Sequence, residues 1–180
     1  MRFAGAVLLT LLLFEVSHAE DEVLRIQRMW ADSPTKDYAD CVEVKGDGSY
    51  RFERVSIDSG RPDRPQVHLG NLTEDEMKQL TGLLNEPALE SLTTPTRSKR
   101  VVSGGDLWWF SINRGDHTQL LLFASSSGGY YEVPAGGGLP SLSQVPAMKP
   151  LISWYKQMTK RKGDIDKTAA PTCSLKVRGY

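Results

Sequence analysis

Histidine and cysteine are scarce in this chain, and net charge is absent altogether. Only three histidines occur in 180 residues, and one of them, His18, falls in a leader-like segment. Histidine-dependent catalysis therefore has His68 and His117 to draw on. There is no His-Glu-x-x-His and no clustered Cys/His set, so no zinc signature exists. No Gly-x-Ser-x-Gly occurs, which removes the usual nucleophile-elbow signal. The 22 basic and 22 acidic residues cancel, and a neutral chain has no long-range field to steer it onto nucleic acid or anionic lipid. The one basic run, Lys160-Arg161-Lys162, ends a helical pattern, where cations complement the helix dipole. Long apolar runs are missing too. Ala4 to Phe14 spans about eleven residues, well short of the ~20 that cross a bilayer as a helix.

That short run has another meaning. Arg2 gives it a positive start, and Ser17-His18-Ala19 places small residues where a signal peptidase reads. The expectation is a signal peptide over 1–19, cleaved after Ala19, and a secreted or periplasmic protein with no membrane anchor after cleavage. The remaining stretch of about 160 residues is one domain's worth. We expect a single α+β domain over 20–162 and a tail over 163–180. In an exported chain the two cysteines, Cys41 and Cys173, are expected to form a disulfide that staples the tail to an early strand. The alternative, a reactive thiol, would need an electropositive setting that the sequence does not supply.

Hydrophobic periodicity sets the element order. Glu22 to Trp30 reads as a first strand, and Ala31 to Asp40, with Pro34, as a connection. Cys41–Lys45 and Tyr50–Val55 alternate on either side of Gly46-Asp47-Gly48-Ser49, a strong hairpin signal. Ser59 to Pro65 reads as a loop and Gln66 to Gly70 as a short strand. Thr73-Glu74-Asp75-Glu76 fits a capping box opening a helix with Met77, Leu80, Leu83 and Leu84 on one stripe. Its acidic first turn is accounted for by the helix dipole. Pro87 suits the start of a second short helix. Asp106–Asn113 and His117–Ala124 form a second hairpin, apolar on both faces, and Val145–Lys162 a closing amphipathic helix. The fold class expected is an antiparallel sheet from two hairpins packed against two main helices, in (ββα)2-like order.

The candidate chemistry is sparse. Gly136-Gly137-Gly138 lacks the following Lys-Ser/Thr of a phosphate loop, and Asp47-Gly48 and Asp164-Ile165-Asp166 lack calcium-loop spacing. No cofactor, metal or catalytic residue is expected. Asp116 and His117 could serve a small hydrolase or ligand-binding enzyme, and a structural envelope protein is a further alternative. Aromatic anchors are the more informative feature. Trp109, Tyr130 and Tyr131 could stack on a sugar or anchor a protein partner, with Trp108 sharing the face of Phe110 and Ile112.

The layout carries a resemblance. Lys45-Gly46-Asp47-Gly48-Ser49-Tyr50, then Asn71-Leu72-Thr73-Glu74-Asp75-Glu76 before a Leu-rich helix, then Gly105-Asp106-Leu107-Trp108-Trp109-Phe110-Ser111-Ile112 and a closing helix, resembles the emfourin-like proteins. Those are small inhibitors of thermolysin-type metallopeptidases, and the similarity covers roughly Cys41 to Lys160. Where that family has a Ser-Gly-Gly-Phe-Ala-Gly-type segment, this chain keeps Gly46 and Gly48 and carries Asp47, Ser49 and Tyr50. The resemblance implies an α+β fold and a peptidase partner contacted through Gly46, Asp47, Gly48 and Tyr50. The expected function is thus an exported, non-enzymatic, macromolecule-binding module.

Overall fold

A computed structural model describes residues 22–33, 36–58, 61–94, 106–124, 139–161 and 164–166. Its frame is one antiparallel sheet. Strand β1 (Glu22–Ser33) pairs with β2 (Lys36–Lys45), which pairs with β3 (Ser49–Asp58). The two-residue β4 (Arg61–Pro62) touches only the end of β3, and β5 (Gln66–Asn71) lies along its other half. Strands β6 (Leu107–Asn113) and β7 (Thr118–Ala124) form the second hairpin, and β8 (Asp164–Ile165) adds to β5. The spatial order is β7-β6-β1-β2-β3-β5-β8, so β6 docks on β1 as well as on its hairpin partner β7.

Five strands precede the first helix and two precede the last long one. Two expectations are corrected by this layout. The stretch Ala31–Asp40 is not a connection: β1 runs on to Ser33 and β2 already begins at Lys36. Ser33 and Lys36 are register partners, so the two strands form a hairpin. Ser59–Pro65 likewise contains β4, where Pro62 is tolerated because the strand sits at an edge.

Helix α1 (Glu74–Leu84) starts as its sequence demands. The Thr73 hydroxyl accepts from the Glu76 amide at 3.3 Å, and the Glu76 carboxylate accepts from the Thr73 amide at 2.8 Å. The Thr73 amide, with Arg161 alongside, holds the Glu76 carboxyl below its ordinary value. Helix α2 (Pro87–Glu90) opens on its proline. Helix α3 (Lys149–Met158) is shorter than expected, because single 3-10 turns at Leu142–Gln144 and Pro146–Met148 take up its N-terminal side. Pro150 lies in its first turn, where no amide hydrogen bond is lost.

The sheet has a helix-covered front and a back. On the front, Leu24, Ile26, Val42 and Phe110 pack with Leu80, Leu151 and Tyr155 in one interior that also contains Trp108. Burial there is what organises the chain, at about 1.5–3 kcal/mol per large apolar side chain. The back holds a smaller cluster of Met29, Leu107 and Ala124, with Trp109 and Leu139 against it. The second hairpin therefore makes apolar contacts on both faces, fully buried on the front and only partly covered on the back.

A polar pin joins this hairpin to the helix ends. The Gln119 amide donates to the carbonyls of Leu89, Glu90 and Leu92 at 2.9–3.1 Å. Its oxygen accepts from Arg114, which also caps the Leu84 carbonyl at the end of α1. Carbonyls left over at two helix C-termini are thus satisfied by the β6–β7 hairpin. Gln119→Leu is expected to cost about 2–3 kcal/mol, since it strands acceptors away from water. The check is urea unfolding: a lower midpoint with unchanged slope fits, and an unmoved midpoint does not.

Candidate binding surface

The Gly46–Tyr50 turn is rigid but only partly presented. Gly48 has φ +84, a conformation that favours glycine. A Cβ there would also press on Met77 at 3.3 Å. Its carbonyl accepts from the Leu72 amide at 2.9 Å, which ties the turn to the approach of α1. The Asp47 carboxylate accepts from the Ser49 amide at 2.8 Å, and hydrogen bonds from Ser49 hold it below its ordinary value. Tyr50 is 8% exposed, and its ring fills the space over Gly70, where a Cβ would come within 2.6 Å. Gly48 and Tyr50 therefore serve the fold, which corrects their expected contact role. Gly46 and Asp47 are the exposed tip.

Trp109 lies elsewhere. It is half-buried on the back of the sheet, in a groove of about 230 Å³ that it lines with Arg25, Gln27, Ser111, Leu120 and Leu122. Leu120 is 51% exposed at its rim. Strand β2 runs toward the Gly46 turn, whereas Trp109 pairs with Gln27 in mid-strand, so the two candidates are not brought together. Tyr130 and Tyr131 fall outside the described residues.

Asp116 and His117 occupy the exposed β6–β7 turn. The imidazole Nδ1 stands 2.7 Å from the Asp116 carboxylate, with side chains 63% and 87% exposed for His117 and Asp116. Hydrogen bonding to the imidazole holds the Asp116 carboxyl below its ordinary value. A carboxylate and imidazole this open to water lack the excluded setting in which such pairs gain catalytic force. Among the described residues, no group of three or more His, Cys, Asp and Glu side chains could hold a metal, and no helix is long and apolar enough to cross a membrane. Cys41 is 2% exposed on β2 and is not a free thiol. Cys173 falls outside the described residues.

Sequence reasoning missed the densest constellation, at the end of the front face beyond Tyr155. Residues 28 and 30 of β1, 38 and 40 of β2 and 54 of β3 are register neighbours there. Arg28 forks onto Asp106 with bonds of 2.9 and 2.8 Å, and its guanidinium lies between the rings of Trp30 and Trp108, at 4.5 and 4.8 Å. Burial works against the Arg28 charge, but the Asp106 hydrogen bonds outweigh it and hold the group above its ordinary value. Arg54 forks onto Asp40 at 2.7 Å twice and lies against Phe52 and Trp30. The same Asp40 carboxylate, 1% exposed, accepts from the Tyr155 hydroxyl at 3.0 Å. Trp30 and Tyr38 stack at 5.4 Å, and the Lys36 ammonium covers the Tyr38 ring.

This end is half-exposed: Trp30 and Tyr38 are neither buried nor free, and the Arg54 side chain is 40% exposed. The result is a preorganised surface of stacked rings and forked guanidiniums, with little rotamer freedom left to lose on contact. The legible signal was period 2: Leu24, Ile26, Arg28 and Trp30 share one face. Comparison of the chain with family models, with curated proteins and with solved structures returned no match.

Proposed function

We propose that the protein is an exported, non-enzymatic module that recognises another macromolecule. The observation that carries this reading is the Trp30–Tyr38 stack with Arg28 and Arg54. Trp, Tyr and Arg are the side chains that concentrate binding energy at interfaces, and here they stand half-exposed and already held in place. Export is supported by the leader over 1–19 and by a buried Cys41 that is not free. With only one other cysteine in the chain, Cys173 is its disulfide partner in this reading, and the tail is held to β2. In the same reading the β2–β3 hairpin before α1 and the β6–β7 hairpin before α3 correspond to the (ββα)2-like order. The remaining strands are additions.

The test is photo-crosslinking in the producing cells with p-benzoylphenylalanine at position 38. We expect a discrete adduct that is lost with Trp30→Ala. Adducts that are absent, or indifferent to Trp30, would remove the reading and leave a structural envelope protein.

A peptidase partner has its own support, in the pinned and exposed Gly46-Asp47 tip. An inhibitory loop needs that rigidity to stay bound without being cut. Thermolysin-type peptidases retaining full activity at high micromolar concentrations of the purified protein would exclude it. The Asp116–His117 hydrolase reading has no comparable support, given the exposure of both side chains.

A further inference from the structure

The groove at Trp109 originates in the strand register. On the back of the sheet, Arg25, Ser111 and Leu120 form one row of opposed residues, and Gln27, Trp109 and Leu122 form the next. Directly opposed residues in antiparallel strands share a face, so these side chains make one block across β1, β6 and β7. Its largest member, Trp109, and its smallest, Ser111, are neighbours on β6, about 7 Å apart. One flank of the indole packs against the Met29, Leu107 and Ala124 cluster. On the other flank the short Ser111 side chain leaves a hollow, which is the groove of about 230 Å³. Phe110 and Leu121 line it with main chain, since their side chains belong to the front interior.

The hollow combines an apolar wall with polar groups that have no other task. Among the described residues, the side chains of Gln27, Ser111 and Trp109 have no hydrogen-bond partner, and all three are half-buried. The Arg25 Nε–H is buried and also lacks an acceptor, an orphaned donor of a kind that native interiors seldom leave. Together these groups offer donors from Arg25, Gln27, Ser111 and Trp109, and acceptors from Gln27 and Ser111. Leu120, 51% exposed, completes the apolar rim. A concave site with an aromatic wall and a few convergent polar groups has the make-up of a small-ligand site.

Charge narrows the occupant. The Arg25 guanidinium reaches both Glu22 and Glu43, the second at 3.4 Å. One positive charge already faces two carboxylates, so an anion gains nothing here. A purely apolar group would cover Trp109 and Leu120 but leave the polar groups stranded. A neutral sugar ring meets neither penalty. It presents a C–H face to an indole, and the hydroxyls around its rim both donate and accept. We propose that the groove is a binding site for one neutral pyranose residue, stacked on the open flank of Trp109 and hydrogen-bonded by Ser111, Gln27 and Arg25. The site lies on the face opposite the Trp30–Tyr38 stack and is independent of the role given to that stack.

The experiment uses the chain without residues 1–19, isotopically labelled and followed by NMR as glucose, galactose, mannose and N-acetylglucosamine are added one at a time. A single ring buries little surface, so a Kd of about 1–10 mM is expected. At least one of the sugars should shift the Trp109 indole and Gln27 amide signals saturably, with a Kd indifferent to salt. Trp109→Ala should weaken its binding about tenfold. Because that change also reaches the back cluster, Ser111→Leu is the second variant. It fills the hollow, so it should abolish the shifts while leaving the urea midpoint near wild type. No shift with any of the four sugars overturns the site. Shifts that persist in Ser111→Leu overturn it as well, and so does a Kd that weakens steeply with salt, the mark of a charged ligand.

Discussion

Arg54→Met is expected to lower the unfolding free energy by about 3–5 kcal/mol, as large an effect as any single substitution we foresee on the front face. The reason lies in what remains behind. Asp40 is 1% exposed and receives two hydrogen bonds from Arg54 and one from Tyr155. Removing the guanidinium leaves a carboxylate in the interior with a neutral phenol as its visible partner, and an uncompensated buried charge is what such a change cannot tolerate. Removing Asp40, Arg54 and Tyr155 polarity together, as Asp40→Leu, Arg54→Met and Tyr155→Phe, should recover most of the loss. Chemical denaturation of the single and triple variants decides it. A single variant within 1 kcal/mol of wild type would mean that water reaches Asp40 and the network is superficial.

The same network fixes an alkaline limit. Burial, and then the neighbouring Asp40 charge and hydrogen bond, push the Tyr155 hydroxyl well above its ordinary value. An acid whose folded value is raised holds its proton more tightly folded than unfolded. Its contribution is complete below about pH 10, the unfolded value, and is lost as pH climbs above it. Tyr155→Phe should remove that share of the alkaline fall in stability. Parallel slopes for the two proteins above pH 10 would contradict the assignment.

On the proposed Cys41–Cys173 disulfide, Cys41→Ser is expected to cost about 2–5 kcal/mol, with the chain-entropy argument placing the upper end near 5 for a loop that would enclose most of the domain. Cys173→Ser should behave the same way, since the two sulfurs contribute only as a pair. Thermal unfolding with and without reductant tests this directly. Wild type should drop to the level of the serine variants when reduced, and the variants should not respond. A wild type indifferent to reductant would dissolve the staple and the export argument that leans on it.

Much of the framework was written locally, and what was written locally was legible. The Thr73 cap and Glu76 reciprocation, the Gly48 turn and the two-sided apolarity of Leu107–Ala124 need only neighbours a few residues away to be read. The front constellation was not legible for the converse reason. Arg28 finds Asp106, and Asp40 finds Tyr155, across 78 and 115 residues of chain, and no periodicity encodes such meetings. Pro34 misled as well. It suggested a loop where two strands nearly touch, and so concealed that Trp30 and Tyr38 face each other. Gln119, polar amid leucines, carries no local sign that its amide reaches carbonyls at the end of α2 and beyond. The turn kept its shape from the sequence, whereas the burial of Tyr50 depended on Gly70 leaving room for its ring.

The position of β1 sets a schedule for the molecule's birth. It is the earliest described strand in the chain, yet it lies mid-sheet and needs β6 on one flank. A polypeptide emerging end-first can assemble β1 to β5 as a ribbon, but that ribbon keeps one raw edge until residue 113 has followed. Closure is therefore late, and assembly governed by such distant pairing is slow. Under the export proposed above, a chain threading a translocon before it hardens would gain from this delay, because its central seam cannot seal while the second hairpin is still in transit.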